Sequence, residues 1–256
     1  MGAMFTEARE AGALEAPVWG ELRYGGELAR LLSDPRLRAP GRREDAQPVM
    51  LIPGFMAGDN SLRVMRSWLQ RRGHRVAMSG MRVNVGCAEE IVQRLELQLE
   101  QVAEDCGDRV MLIGQSRGGA LARALAVRHP DLVCGLVMLG SPVCDGLAVS
   151  PPVLRTVWLV ARLGDLGMPG VFSTSCKEGA CCAAFEADLA APLAGEIEAV
   201  AVYSRSDGIV DWRACLDPHA ELAEVDSSHC GMSVHPQVYR VLEQVLDGAT
   251  EVAWSG

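Results

Sequence analysis

The segment from Val110 to Ala120 constrains the fold of this chain more than any other. It reads VMLIGQSRGGA, an apolar run, then Gly-Gln-Ser-Arg-Gly, then residues of strong helix propensity. A short apolar run of this kind is typical of a buried strand in a parallel sheet. A G-x-S-x-G motif between a strand and a helix predicts a strained turn that exposes the Ser116 hydroxyl. We therefore interpret Ser116 as a nucleophile; the alternative is a glycine-rich turn that happens to contain a serine.

Apolar strand patterns alternate with amphipathic helix patterns along most of the chain, which predicts an α/β fold with a mostly parallel central sheet flanked by helices. The alternation is interrupted between residues 143 and 193, where an insertion containing an apolar helix predicts a lid or cap. We accordingly expect an N-terminal extension with a helix over residues 1–47 and a core formed by 48–142 and 194–250. The predicted strands cover 49–52, 74–79, 109–113, 132–139, 197–203 and 221–225.

Composition excludes several classes of function. The 256 residues are 49% hydrophobic, enough for one large domain, and no apolar run approaches the roughly 18 residues of a membrane span. A net charge of −9 argues against nucleic acid as a partner, since phosphate binding needs a basic surface. The sequence has nine cysteines, an odd number, and its N-terminal residues show no secretion-signal pattern. Together these features predict a cytoplasmic protein with reduced thiols.

Three of the cysteines, Cys176, Cys181 and Cys182, form a local cluster. Such a cluster suits either a local disulfide or a metal site. For a zinc site, however, the sequence has no second cysteine pair and no paired histidines to complete the ligand set. We interpret these residues as small side chains of the core and expect no metal and no cofactor.

A serine nucleophile needs a base, and the base needs an acid to orient it. In open α/β sheets such groups collect at the carboxyl ends of strands. Asp207 follows the strand at 197–203, and Gly208 allows a tight turn that presents its side chain. Asp211 is the nearby competitor, and either aspartate also suits a turn or a cap. His229 follows the strand at 221–225, so we favour Asp207 as acid and His229 as base.

An oxyanion hole requires two backbone N–H donors aimed at the developing charge. One is expected from Arg117, directly after the nucleophile at a helix N-terminus. The second is expected from the loop that follows the strand at 49–52, where Pro53-Gly54 precedes Phe55. Phe55 is the preferred donor and Met56 the next candidate.

Six segments of the chain resemble the α/β-hydrolase fold superfamily, and within it a bacterial lipase/esterase-like group. They are 51–55 (LIPGF), 82–86 (RVNVG), 114–119 (GQSRGG), 139–142 (LGSP), 203–212 (YSRSDGIVDW) and 228–232 (SHCGM). The resemblance implies Ser116 as nucleophile, Asp207 as acid, His229 as base, and the amides of Phe55 and Arg117 as the oxyanion hole. It is specific for the fold and poorly specific for substrate, because this fold hosts many chemistries.

Two positions depart from the pattern of this group. Many relatives begin the oxyanion loop with His-Gly, where this chain has Pro53-Gly54. The residue after the nucleophile is usually apolar, whereas Arg117 brings a cation, which either favours an anionic substrate or pairs with an acid such as Asp59. Similar lipases sometimes hold a structural calcium, but no clear carboxylate pair follows His229, in keeping with the expectation of no metal.

The sequence thus predicts a serine hydrolase of carboxylic esters that works through an acyl-enzyme on a small-molecule substrate. The apolar insertion predicts a pocket for an apolar acyl group of medium or long chain. Acyl transfer or thioester hydrolysis by the same triad is the alternative. A third hypothesis is a non-catalytic module that binds a hydrophobic ligand.

Overall fold

Six strands form one parallel sheet. The structure, a computed structural model, describes residues 16–38 and 46–247. Numbered along the chain, the strands are β1 (Pro48–Ile52), β2 (Arg75–Met78), β3 (Val110–Gln115), β4 (Val133–Leu139), β5 (Glu198–Tyr203) and β6 (Glu221–Glu224). They pair in the order β2-β1-β3-β4-β5-β6, and every pairing is parallel. Residues 1–15, 39–45 and 248–250 of the expected extension and core lie outside the described residues.

Helices cover both faces of this sheet, which confirms the predicted fold class. They are α1 (Tyr24–Ser33), α2 (Arg63–Arg71), α3 (Ala88–Cys106), α4 (Arg117–Arg128), α5 (Pro151–Asp165), α6 (Thr174–Glu178), α7 (Ala180–Ala190) and α8 (Pro236–Leu246). In the N-terminal extension, where a helix is expected, the chain forms a 3-10 turn at Val18–Arg23 and becomes α-helical at Tyr24. Among the described residues, no helix has both the length and the apolar composition needed to cross a membrane.

The side chains of each strand alternate between two hydrophobic cores, because successive residues of a strand point to opposite faces of the sheet. Val49 and Leu51 of β1 pack with α1, α2 and α8, whereas Met50 and Ile52 pack with α3 and α4. Helix α4 is buried over most of its length, and its small glycine and alanine residues allow the close packing that this position requires.

From β1 the chain adds β2 on one side and β3 on the other. This change of direction creates a topological switch point between β1 and β3 at the carboxyl edge of the sheet. Phe55 follows β1 and Ser116 follows β3, so these two residues lie at the switch point itself. Asp207 and His229 follow β5 and β6 at the same edge. The topology therefore brings all the predicted site residues to one end of the sheet.

The insertion between β4 and β5 contains α5, α6 and α7 and is joined to the rest of the chain by several hydrogen bonds. The Phe172 backbone N–H donates to the carbonyl oxygen of Val85 at 2.8 Å. Arg123 of α4 donates to the Ala191 carbonyl oxygen at 3.0 Å and forms an ion pair with Asp217, 2.5 Å from Nε to Oδ2. Both members of that ion pair are almost fully buried, and the pair fixes the Arg123 side chain that also binds the insertion.

Candidate active site

Ser116 lies in the strained turn between β3 and α4. Its backbone has φ 53° and ψ −125°, a region that residues other than glycine rarely adopt. The Ser116 N–H donates to the carbonyl oxygen of Leu139 on the neighbouring strand at 2.7 Å, which holds the turn in place. The side chain is half-buried, and the turn lies at the N-terminus of α4. This is the geometry that the G-x-S-x-G motif predicts.

The glycines around Ser116 allow backbone approaches that any side chain would prevent. A Cβ at Gly118 would lie 2.2 Å from the carbonyl oxygen of Ile52, and one at Gly114 would lie 2.4 Å from the Gly118 carbonyl. A Cβ at Gly119 would lie 2.0 Å from Ser141 Oγ. The elbow is therefore packed directly against β1 and against the end of β4, and each glycine is required by a specific neighbour.

Asp207 and His229 lie in direct contact. His229 Nδ1 and Asp207 Oδ2 are 2.6 Å apart, and since a carboxylate only accepts, Nδ1 carries the shared proton. The other carboxylate oxygen of Asp207 accepts from the backbone N–H groups of Ile209 and Val210, each at 2.8 Å. The competing candidate, Asp211, instead caps the turn that follows it by accepting from a backbone N–H. The structure brings Asp207 to the histidine and leaves Asp211 in a capping role.

The environment of His229 favours its protonated form. Burial opposes the imidazolium, but the charge of Asp207, its hydrogen bond and the charge of Glu21 outweigh burial and raise the pKa of His229 above its usual value. Asp207 and His229 are both almost fully buried, so their interaction is only weakly screened by water.

The histidine loop is joined to the elbow through the residue before the serine. Gln115 Nε2 donates to the His229 carbonyl oxygen at 3.1 Å. On the other side of the imidazole ring, a Cβ at Gly140 would lie 3.1 Å from His229 Nδ1, so the ring packs against bare backbone. Within the described part of the chain the Ser116 hydroxyl makes no hydrogen bond to the imidazole. Hydrogen bonds of this kind are often long without substrate and tighten when it binds.

Among the described residues, the backbone N–H groups of Phe55 and Arg117 donate to no acceptor. The Met56 N–H, the other candidate, donates to the Asn84 carbonyl oxygen at 3.2 Å and is therefore occupied. A Cβ at Gly54 would lie 3.1 Å from Ser116 Cβ, so the loop after β1 approaches Ser116 closely. Of these two candidates, Phe55 is the one whose N–H is left without an acceptor among the described residues, and it remains the predicted donor.

The loop that carries Phe55 is ordered by Asn84, a residue with no predicted role. Asn84 is fully buried, and its Nδ2 donates to the Pro53 carbonyl oxygen at 2.8 Å. Its Oδ1 accepts from Arg117 Nη1 at 2.6 Å, and its backbone carbonyl accepts from Met56. The sequence signal for this role was a polar residue between two valines in the segment RVNVG. That pattern alone does not show that the amide is buried or which loop groups it binds.

Arg117 holds this arrangement from the helix side. Besides Asn84 it donates to the Gly86 carbonyl oxygen at 2.7 Å, and its guanidinium lies 5.7 Å from the ring centre of Phe172 in the insertion. Asp59, the acid considered as its partner, instead accepts from the Ser79 hydroxyl and the Gly80 N–H. The Arg117 side chain thus binds neutral oxygens that shape the oxyanion loop.

Burial lowers the pKa of Arg117 to about 10, an effect that Cys87, Cys182 and Cys176 oppose through their charge. Cys176 and Cys182 are half-buried beside this guanidinium, outside the hydrophobic cores where the sequence analysis expected them. The side chain of Cys181 lies outside the described residues. Among the side chains that are described, no group of three or more histidines, cysteines or carboxylates is arranged to hold a metal ion.

Several solved structures share this architecture. The mature lipase BlEst2 of Bacillus licheniformis aligns over 81% of this chain and 94% of its own, with a TM-score of 0.59 at 14% identity. MGS-MChE2, an alpha/beta hydrolase enzyme from the metagenome of lagoon sediments at Mar Chica, Morocco, aligns over 83% and 94%, with a TM-score of 0.55 at 19% identity. The chain has the α/β-hydrolase fold.

A soluble variant of the monoglyceride lipase of Saccharomyces cerevisiae, solved with a substrate analogue, shares the fold as well. It aligns over 83% of this chain and 91% of its own, with a TM-score of 0.57 at 16% identity. No protein-family profile matches the chain. At these identities the likeness describes the backbone alone, because one fold hosts many chemistries.

Proposed function

We propose that this α/β-hydrolase-fold protein is a serine hydrolase that cleaves carboxylic esters through an acyl-enzyme. The observation that carries the proposal is the 2.6 Å contact between Asp207 and His229, at the same sheet edge as a serine in a strained elbow. The lipases among its structural neighbours support the same reaction class.

The chemistry follows from the positions of the groups. Ser116 Oγ attacks the ester carbonyl carbon while His229 accepts the hydroxyl proton, and Asp207 stabilises the imidazolium that forms. The developing oxyanion accepts from the Phe55 and Arg117 amides. His229 then returns the proton to the leaving alcohol as the C–O bond breaks. A water molecule, activated by the same histidine, hydrolyses the acyl-enzyme and regenerates Ser116.

We propose that the acyl group is apolar and of medium or long chain. Phe172 of the insertion packs near Phe55 of the oxyanion loop, with ring centres 6.2 Å apart, so an aromatic wall lies beside the second oxyanion donor. Met56 and Val83, from the same region, expose about half of their surface. An apolar chain bound here would cover hydrophobic side chains that otherwise face water.

Labelling with a fluorophosphonate, read out by intact mass, tests the nucleophile. We expect one adduct on the wild-type protein, no adduct on Ser116→Ala, and an unchanged adduct on Ser67→Ala, which removes an exposed hydroxyl on α2. Folded wild-type protein that takes up no label, or a Ser116→Ala protein that is still labelled, contradicts the mechanism.

A series of p-nitrophenyl esters of increasing acyl length tests the pocket. We expect kcat/KM to rise from the acetyl ester toward medium or long chains, because each buried methylene contributes about 0.8 kcal/mol. Hydrolysis of acetyl esters alone would contradict an apolar acyl pocket while leaving the nucleophile assignment intact.

A further inference from the structure

The N-terminal segment 18–33 lies directly against the loops that carry the acid and the base. One carboxylate, that of Glu21, accepts three backbone hydrogen bonds from those two loops. Its Oε1 accepts from the Gly208 N–H at 3.2 Å and from the His229 N–H at 2.9 Å, and its Oε2 accepts from the Cys230 N–H at 2.8 Å. Glu21 therefore joins the residue after Asp207 to the backbone of His229 itself.

A second carboxylate extends this contact. Glu27 is almost fully buried, and it accepts from the Ser228 N–H at 2.8 Å and from the Ser228 hydroxyl at 2.6 Å. A Cβ at Gly231 would lie 1.7 Å from Glu27 Oε2, so the histidine loop leaves space for this side chain. A buried carboxylate is tolerated only where hydrogen bonds replace its water, and here the loop supplies them.

We propose that Glu21 is a positioning residue of the active site, which uses its bridge between Gly208 and His229 to hold the acid and base loops in register. This inference rests on the function proposed above. Hydrogen bonds from backbone N–H groups to a charged carboxylate are about twice as strong as neutral ones. Three of them on one side chain restrict both loops at once, whereas separate contacts would leave the loops free to move relative to each other.

Glu21 also acts on the base through its charge. The charged groups that act on His229 among the described residues are Asp207 and Glu21, and both raise its pKa. The neighbouring Cys230 thiol has its pKa raised to about 12 by burial and by Glu21, and so it stays neutral at ordinary pH. Removing the Glu21 charge should therefore lower the pKa of His229, whether or not the two loops move.

The test compares Glu21→Gln and Glu21→Ala with Glu221→Gln, a matched loss of one negative charge at the exposed start of β6. Each full-length variant is assayed for kcat/KM against pH and for thermal unfolding, and the pKa of His229 is measured by NMR titration. Glu21→Gln keeps an oxygen that accepts hydrogen bonds but loses the charge, so it is the variant least expected to disturb folding.

We expect Glu21→Gln to lower kcat by about 10-fold with little change in KM, since small misplacements of a catalytic group act on the chemical step. Glu21→Ala is expected to lose more. In both variants the pKa of His229 falls, and the acidic limb of the pH profile moves to lower pH. Glu221→Gln behaves as wild type.

The proposal is overturned if folded Glu21→Gln protein keeps both the wild-type kcat and the wild-type pKa of His229, or if activity declines only in proportion to the unfolded fraction. The NMR titration needs no substrate. If the wild-type protein hydrolyses no ester, the proposed function fails, and the titration still decides whether Glu21 acts on His229.

Discussion

Replacing Asp207 by asparagine tests whether Asp207, and not the neighbouring Asp211, acts as the acid. The substitution keeps Oδ1, which accepts from the Ile209 and Val210 N–H groups at 2.8 Å, so the loop conformation is expected to survive. It removes the negative charge beside His229 and places an N–H donor where Oδ2 now accepts. The imidazole is then driven toward the tautomer that carries its proton on Nε2, which cannot accept from Ser116.

The size of the effect follows from the 2.6 Å contact. With charge centres about 4 Å apart and an effective dielectric constant of about 20, the imidazolium and the carboxylate attract by about 4 kcal/mol. This attraction exists only once the proton has moved to His229, so its loss raises the barrier directly. Since about 1.4 kcal/mol corresponds to a factor of ten, kcat should fall by about 10³-fold, and the tautomer change adds to that loss.

The assay is steady-state hydrolysis of a p-nitrophenyl ester across a pH range. The base must be neutral to accept a proton, so activity falls as pH drops through the pKa of His229. Because Asp207 raises that pKa, its removal should move the acidic limb of the profile to lower pH.

The matched control is Asp211→Asn, which weakens only a cap on the following turn and should cost at most about 1 kcal/mol of stability, with unchanged kcat. A loss of less than 10-fold in Asp207→Asn, or an equal loss in both variants, would refute the assignment.

Three further substitutions test the supporting structure. Asn84→Ala removes the amide that orders the oxyanion loop and should lower kcat by about 100-fold with a small change in KM; a loss confined to KM would contradict this. Gly118→Ala places a Cβ 2.2 Å from a backbone carbonyl of β1. It should abolish fluorophosphonate labelling, while Gly146→Ala, with open space around it, should label normally. Asp217→Asn leaves the Arg123 charge buried without its ionic partner and should cost about 3 to 5 kcal/mol. In a chain of this size that is a fall of about 10 °C in Tm, and a melting curve that matches wild type would show that the ion pair is not stabilising.

Much of the fold was predictable because its signals are local. The strand β3, the elbow and the helix α4 are specified by consecutive residues, and the glycines at 114, 118 and 119 are needed by contacts that any such elbow makes. Alternating strand and helix patterns place Ser116 and His229 at the carboxyl ends of their strands. A parallel sheet brings those ends together, so the location of the candidate site followed from the order of the elements.

Choices between neighbouring residues required the tertiary structure. Whether Asp207 or Asp211 meets the histidine depends on the turn after β5, and whether Phe55 or Met56 has an available N–H depends on pairing with Asn84. From the sequence, Arg117 was expected to bind either an anionic substrate or an acid such as Asp59. In the structure its side chain donates to neutral oxygens of Asn84 and Gly86. In each case both candidates have the right chemistry, and only the path of the backbone distinguishes them.

The sequence by itself determined the fold class and the place of a serine and a histidine within it, because local patterns and strand order carry that information. The tertiary structure alone decided which groups surround them. Glu21 and His229 are 208 residues apart, and no pattern in the N-terminal segment indicates that its carboxylate meets the histidine loop. Hydrogen bonds of this range depend on how the whole chain packs, since a carboxylate binds whichever N–H groups the fold brings within reach.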